Sequence, residues 1–227
     1  MKTGYPIVKL LEDRKAERHY YKREDTGEII PGTSEIKTGM GLQDLSKIPL
    51  SILINARNRG IAVHDVCEKW ELGTLSESKV HPDVVPYLTG FKLFYKEHKP
   101  KLVFSEHVVF SLAHNYAGKL DRVYSLNTGK GVYDLKATST VDKSYGLQTG
   151  FYKLAVEEQE EMENLGRFIL QLKKDGTYDL YDCDDPKCKK GLYDPLWQEK
   201  VINLAKRYNA RVKTGNIDKF HKEIYSF

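Results

Sequence analysis

The stretch Asp121–Lys136, DRVYSLNTGKGVYDLK, decides how this chain is read. Its two halves are β-branched and aromatic runs, and the NTGKG between them is rich in turn formers, so the segment predicts an antiparallel hairpin. If Asn127 to Lys130 form the loop, Leu126 faces Gly131, Val123 faces Asp134 and Asp121 faces Lys136. Side chains alternate along a strand and directly opposed residues share a face. That register therefore gathers Asp121, Asp134 and Lys136 on one side of a sheet, whereas a slip of one residue would send Asp121 to the other side. Two carboxylates beside an ammonium suit a hard divalent cation that polarises a phosphate and acidifies a bound water, with the lysine orienting that water or neutralising developing charge. The alternative is a cross-strand ion pair on a solvated face, and the spacing alone favours it.

Outward from the hairpin, the elements point to one architecture. Upstream, RHYYKREDTGEIIPGTSEI places a turn, EDTGE, between β-favouring runs. A helix is expected from about Leu50, with Ile61, Val66 and Trp70 as an apolar stripe and Gly60 packed closely against a neighbour. A second helix follows in VVPYLTGFKLFYKEHK, with Leu88, Phe91, Phe94 and Tyr95 on one face. EHVVFSL is a further strand, in which Glu106 alternates with Val108 and Phe110 on a mainly apolar face. Downstream come a helix in YGLQTGFYKLAVEEQEEM, a hairpin in RFILQLKKDGTYDLYD turning at KKDG, and a last helix in PLWQEKVINLAKRYNA. The expected fold is α/β or α+β, with a central mixed β-sheet flanked by helices. A single domain over residues 1–227 is expected, with an N-terminal hairpin and helices in 1–100, a core in 101–182 and a C-terminal helix in 183–227.

Composition bounds the function without choosing it. The 36 Lys and Arg against 32 Asp and Glu permit a polyanionic partner but do not demand one. Cys67, Cys183 and Cys188 have no repeated short spacing, which argues against a disulfide framework; Cys183 and Cys188 alone make a poor zinc site. The opening MKTGYPIVKLLEDRK has no unbroken apolar stretch and no run reaches membrane-spanning length, so a cytoplasmic protein that does not engage a membrane is expected. Tyrosine is abundant, at 15 residues. Tyr20, Tyr21 and Lys22 could form a stacking surface for single-stranded nucleic acid, and Lys99 to Lys101 and AKRYNARVK could contact phosphates; core packing and solvated faces are the alternatives.

Five short motifs, in order, resemble the PD-(D/E)XK nuclease superfamily, particularly its RecB-like and phage-type exonucleases. GIAVHDVCEKW resembles the family's helix in which a glycine, here Gly60, precedes a metal-binding His, here His64. FSEHVVF resembles the strand with a characteristic Glu, here Glu106; AGKLDRV resembles the segment with the first metal-binding Asp, here Asp121. YDLKATS resembles the D-x-K signature, here Asp134 and Lys136, and YGLQTGFYKL the Q-x₃-Y helix, here Gln148 and Tyr152. A lone D-x-K is common by chance, whereas five elements in order are not.

The resemblance implies a restriction-endonuclease-like core and a Mg²⁺- or Mn²⁺-dependent DNA exonuclease in recombination, repair or replication, with a phage or mobile-element origin as one option. It implies metal ligation by His64, Asp121, Asp134 and the backbone carbonyl of Leu135, with Glu106, Asp121, Asp134, Lys136, Gln148 and Tyr152 as catalytic residues. Read on their own, His64 could be a partly buried helix His, Glu106 a salt-bridge partner, Gln148 a solvated flank and Tyr152 a core aromatic. Some members hold an iron–sulfur cluster through four cysteines, one upstream and three near the C-terminus; with Cys67 inside the His64 helix and only Cys183 and Cys188 near the end, no cluster is expected. The implied partner is DNA, as linear ends or single strands, with a homo-oligomer or a recombination partner protein as candidate associates. An endonuclease of the same superfamily and a non-catalytic nucleic-acid-binding accessory subunit are the competing readings, although accessory members tend to lose the D-x-K that this chain retains.

Overall fold

The computed structural model describes residues 5–13, 18–42, 48–188 and 190–217. Strands β1 (Val8–Asp13), β2 (Arg18–Arg23) and β3 (Ile29–Ile30) precede helices α1 (Thr33–Gly39), α2 (Leu50–Glu71) and α3 (Val85–His98). Then come β4 (Lys101–Ser111), β5 (Tyr116–Leu126), β6 (Gly129–Lys136), α4 (Ser144–Glu160), β7 (Gly166–Leu172), β8 (Tyr178–Asp182) and α5 (Trp197–Lys213). The first three strands form a small antiparallel sheet. The other five form a mixed sheet in the order β4-β5-β6-β7-β8, parallel only between β6 and β7. Parallel neighbours cannot be joined by a tight turn, and α4 makes the crossover. The expected central mixed sheet flanked by helices is present.

Strand alternation sorts the core into two layers. Val123 and Val132 are cross-strand partners and pack with Phe151 and Ala155 of α4 and Val201 and Ala205 of α5. Their neighbours Tyr124 and Tyr133 point the other way, to Cys67 of α2 and Phe91 and Phe94 of α3. Each side chain of this size, fully buried, contributes roughly 1.5–3 kcal/mol. Asp134 and Lys136 have the parity of Val132, which places them on the α4 side of the sheet.

The central hairpin forms with a shorter loop than expected. Leu126 pairs with Gly129, Tyr124 with Gly131 and Val123 with Val132, so Asn127 and Thr128 alone make the turn and Gly129 takes a φ of 132°. A two-residue turn matches the twist of the strands and recovers ladder pairing for Lys130 and Gly129. Asp121 is therefore not opposite Lys136, nor Val123 opposite Asp134; continuing the register brings Asp121 level with Asp134. The displacement is two residues, an even number, so the shared face survives.

Three other expectations change. Ile61 is exposed, and the inward stripe of α2 is Val63 and Cys67, flanked by Val66 and Trp70. Among the described residues, nothing lies within 4 Å of where a Cβ on Gly60 would sit, so this glycine is not a close-packing point between them. The first turns of α2 stand clear of the core, with Leu50, Ile52 and Ile54 exposed. Glu106 has a φ of +48°, a left-handed conformation that breaks the alternation expected with Val108 and Phe110. The strand is also bulged between Leu102 and Phe104.

Near the N-terminus the EDTGE turn joins β2 to β3 as expected, while GTSEI opens α1 rather than continuing a strand. Glu35 accepts a hydrogen bond from the Gly32 backbone N–H at 3.2 Å, satisfying one of the free donors at the helix start. Tyr21 is buried with Ile30, Phe110 and Ala117, so it offers no stacking surface. The KKDG turn joins β7 to β8, with Gly176 at a φ of 81°.

Candidate active site

Four elements, α2, β4, β5 and β6, meet at one end of the central sheet. α2 brings His64, placed by the burial of its neighbours Val63 and Cys67. His64 Nε2 lies 3.1 Å from the Leu135 carbonyl, and because a carbonyl only accepts, Nε2 carries the proton. Nδ1 faces Glu106 Oε1 at 3.4 Å and Asp121 Oδ1 at 3.6 Å. One ligand atom from each of His64, Glu106 and Asp121 lies within 4.8 Å of the others. Burial alone would lower the His64 pKa, but the Asp121 and Glu106 carboxylates outweigh it and raise the pKa.

β4, β5 and β6 supply the acidic groups, Glu106, Asp121 and Asp134 in turn. Asp121 Oδ2 accepts the Leu135 backbone N–H at 2.7 Å, which locks that carboxylate against the neighbouring strand. Glu106 is paired with Lys119 at 2.7 Å and Arg122 at 2.9 Å. Burial pushes its pKa up, yet hydrogen bonds from His64 and Lys119 hold it down at about 2. Asp134 is fully buried, and Lys136 Nζ lies 2.5 Å from its Oδ2. Among the described residues, no well-directed hydrogen bond reaches either oxygen of Asp134. Burial raises its pKa against the pull of Lys136.

α4 and α1 close the α4 side. Gln148 donates from its amide nitrogen to Tyr152 Oη at 2.9 Å, and its Oε1 accepts from Lys37 Nζ at 2.6 Å. Tyr152 is buried in the core as well as hydrogen-bonded, so it is both a packing residue and Gln148's partner. A Cβ on Gly118 would sit 2.7 Å from the Tyr152 ring and 2.9 Å from Thr33, so β5 needs a glycine where α1 and α4 converge. Burial, then repulsion from Lys136, pushes the Lys37 pKa down to about 8.

The sequence profile of the PD-(D/E)XK nuclease superfamily matches residues 94–221. The chain belongs to that superfamily. No curated protein matches it at a significant level. Among solved structures, the crystal structure of LHK-Exo in complex with dAMP is similar over 82% of this chain and 89% of that one, at 11% identity and a TM-score of 0.38. That likeness is too loose to add to the family match.

PD-(D/E)XK nucleases use divalent metals, and the residues present fit one. The donor set is carboxylate oxygens, one imidazole nitrogen and a nearby peptide carbonyl, which suits Mg²⁺ or Mn²⁺ better than a thiophilic ion. The buried oxygens of Asp134, short of directed partners, fit it too. The compact trio contains Glu106 where the family pattern pointed to Asp134; Asp134 lies beside Lys136, close enough to Asp121 for their charges to interact. Among the described residues, no helix is long and apolar enough to cross a membrane.

Sequence reading missed several residues around the site. Lys37 lies on a helix read as strand, and the only signal for it was Glu35 three residues after Gly32. Arg122 and Glu71 form a fully buried ion pair at 2.5 Å, and Tyr95 and Tyr124 donate to Glu71. Neither belongs to a motif, and a buried Arg–Glu pair between a helix and a strand has no local signature. Of the basic stretches, Arg211 is tied to the Gly39 carbonyl and Tyr208 is core. Cys183 is buried, Cys188 half-buried, and both are free thiols.

Proposed function

We propose that the chain is a metal-dependent DNA exonuclease acting as one nuclease domain over residues 1–227 in recombination, repair or replication. The observation that carries this reading is the convergence of His64, Glu106 and Asp121 beside a buried Asp134 paired with Lys136. His64, Asp121, Asp134 and the Leu135 carbonyl, with Glu106, would hold a Mg²⁺ or Mn²⁺ ion. When bound, such an ion supplies Lewis-acid polarisation of the phosphate and a water of lowered pKa. Lys136 keeps its ammonium charged despite burial because Asp134 and Asp121 raise its pKa, so it can neutralise charge building on the phosphate or orient the attacking water. Gln148, its amide fixed by Lys37 and Tyr152, presents a polar group toward the same side for positioning. The exonuclease form follows the resemblance to RecB-like and phage-type members, and an end-requirement assay separates it from an endonuclease of the same superfamily.

The test incubates the pure protein with end-labelled linear DNA and with closed circular DNA, in Mg²⁺, Mn²⁺ or EDTA. Degradation of the linear form alone, abolished by EDTA, is the expected result. Nicking of the circle would replace the exonuclease with an endonuclease, and inactivity in every metal would favour an accessory nucleic-acid-binding role.

A further inference from the structure

We propose that Lys37 binds a phosphate of the nucleic-acid strand held at this site, a contact supplied from outside the D-x-K signature; the proposal rests on the nuclease reading. Among the described residues three cations are buried: Lys37, Arg122 and Arg167. Arg122 is paired with Glu71 and Glu106, and Arg167 with Asp184 at 2.7 Å. Lys37 differs. Its hydrogen-bond partner is the neutral Gln148 amide oxygen, and among the described residues no carboxylate pairs with it. A buried ammonium with only a neutral acceptor retains most of its desolvation cost, and an anion that arrives with substrate removes it.

The surroundings select the anion. Lys37 Nζ lies 5.5 Å from the centre of the Tyr145 ring, and Lys136 Nζ lies 4.9 Å from the centre of the same ring. Two ammonium groups thus share one aromatic ring, with Asp134 as the carboxylate in contact with Lys136. Asp134 and Asp142 attract Lys37 from beyond ion-pair distance, and a phosphodiester oxygen fits its unused donors, since an ammonium has three of which Gln148 takes one. An ammonium cannot accept, so Gln148 must turn Oε1 to Lys37 and its amide nitrogen to Tyr152. A role confined to orienting Gln148 is therefore the alternative to separate, and the two differ in whether Lys37 changes the number of phosphates neutralised.

The experiment measures binding of the full chain to a labelled oligonucleotide in EDTA, where no cleavage occurs, over a series of salt concentrations. Lys37→Met should bind about tenfold more weakly, and its log–log salt slope should fall by roughly 0.7–0.9, one phosphate contact. Lys37→Arg should keep the wild-type slope. Lys37→Gln carries the same test if circular dichroism shows the Met variant unfolded. Unchanged affinity and slope in the neutral variants, or no binding by the wild type, would overturn the proposal. Cleavage by the wild type with no slope change leaves the nuclease reading standing alone. A slope change in a protein that cleaves nothing leaves the phosphate contact standing while the nuclease reading falls.

Discussion

Two buried charge groups sit side by side on β5 and β6, and they are built differently. On the α2–α3 side, Arg122 is enclosed by Glu71, Glu106 and the Asp121 carbonyl, while Tyr95 and Tyr124 both donate to Glu71. Among the described residues, Nη2 of that guanidinium alone lacks a partner. On the α4 side, among the described residues, Asp134 has one ion-pair partner and no directed hydrogen bond, and Lys37 has a neutral acceptor. The first group is nearly saturated and therefore holds α2 and α3 to the sheet. The second is left short of partners, as a site awaiting a ligand must be. Glu106 touches both, through Arg122 on one side and His64 on the other.

Experiments can break this contrast. The largest effect is expected at the under-partnered site. Asp134→Ala and Lys136→Ala should each reduce DNA cleavage by about 10³-fold or more while circular dichroism stays native; retained activity in either variant removes that residue from the catalytic set. The saturated group should answer in stability instead. Glu71→Ala leaves Arg122 buried without its main counter-charge and should cost about 3–5 kcal/mol in urea unfolding. A loss below about 1 kcal/mol would mean the two groups do not differ in kind.

Smaller effects sharpen the boundary between them. His64→Ala should raise the Mn²⁺ concentration needed for half-maximal activity by about 10–100-fold, and an unchanged metal requirement would exclude it as a ligand. The weakest effect belongs to Gly60, where a methyl group meets nothing. Gly60→Ala should stabilise α2 by about 0.5–1 kcal/mol without altering cleavage. A loss of stability would show a close contact there after all.

Most of the strand and helix order was legible, because period-two and period-3.6 patterns are local properties of the chain. The D-x-K pair, the α3 stripe and the KKDG turn were read from a few adjacent residues. Errors fell where a local pattern meets a tertiary choice. Four turn-forming residues allowed several hairpin registers, and only strand pairing selected the two-residue turn. Glu106 takes its positive φ where its side chain meets His64, Lys119 and Arg122, partners that lie far apart in sequence or across the strand and leave no local signature. α1 was missed because seven residues carry too little periodicity to be distinguished from a strand.

Sequence alone determined that Asp134 and Lys136 share a face and that a hairpin brings Asp121 to it, because alternation along a strand survives any even shift of register. It also carried enough motif order to identify the superfamily. Only the folded chain decided which groups stand within reach of one another: His64 against Glu106 and Asp121, Lys37 against Gln148, Arg122 against Glu71. Those contacts depend on how helices lie across the sheet, and helix placement is set by the packing of both core layers rather than by any stretch of residues read in order.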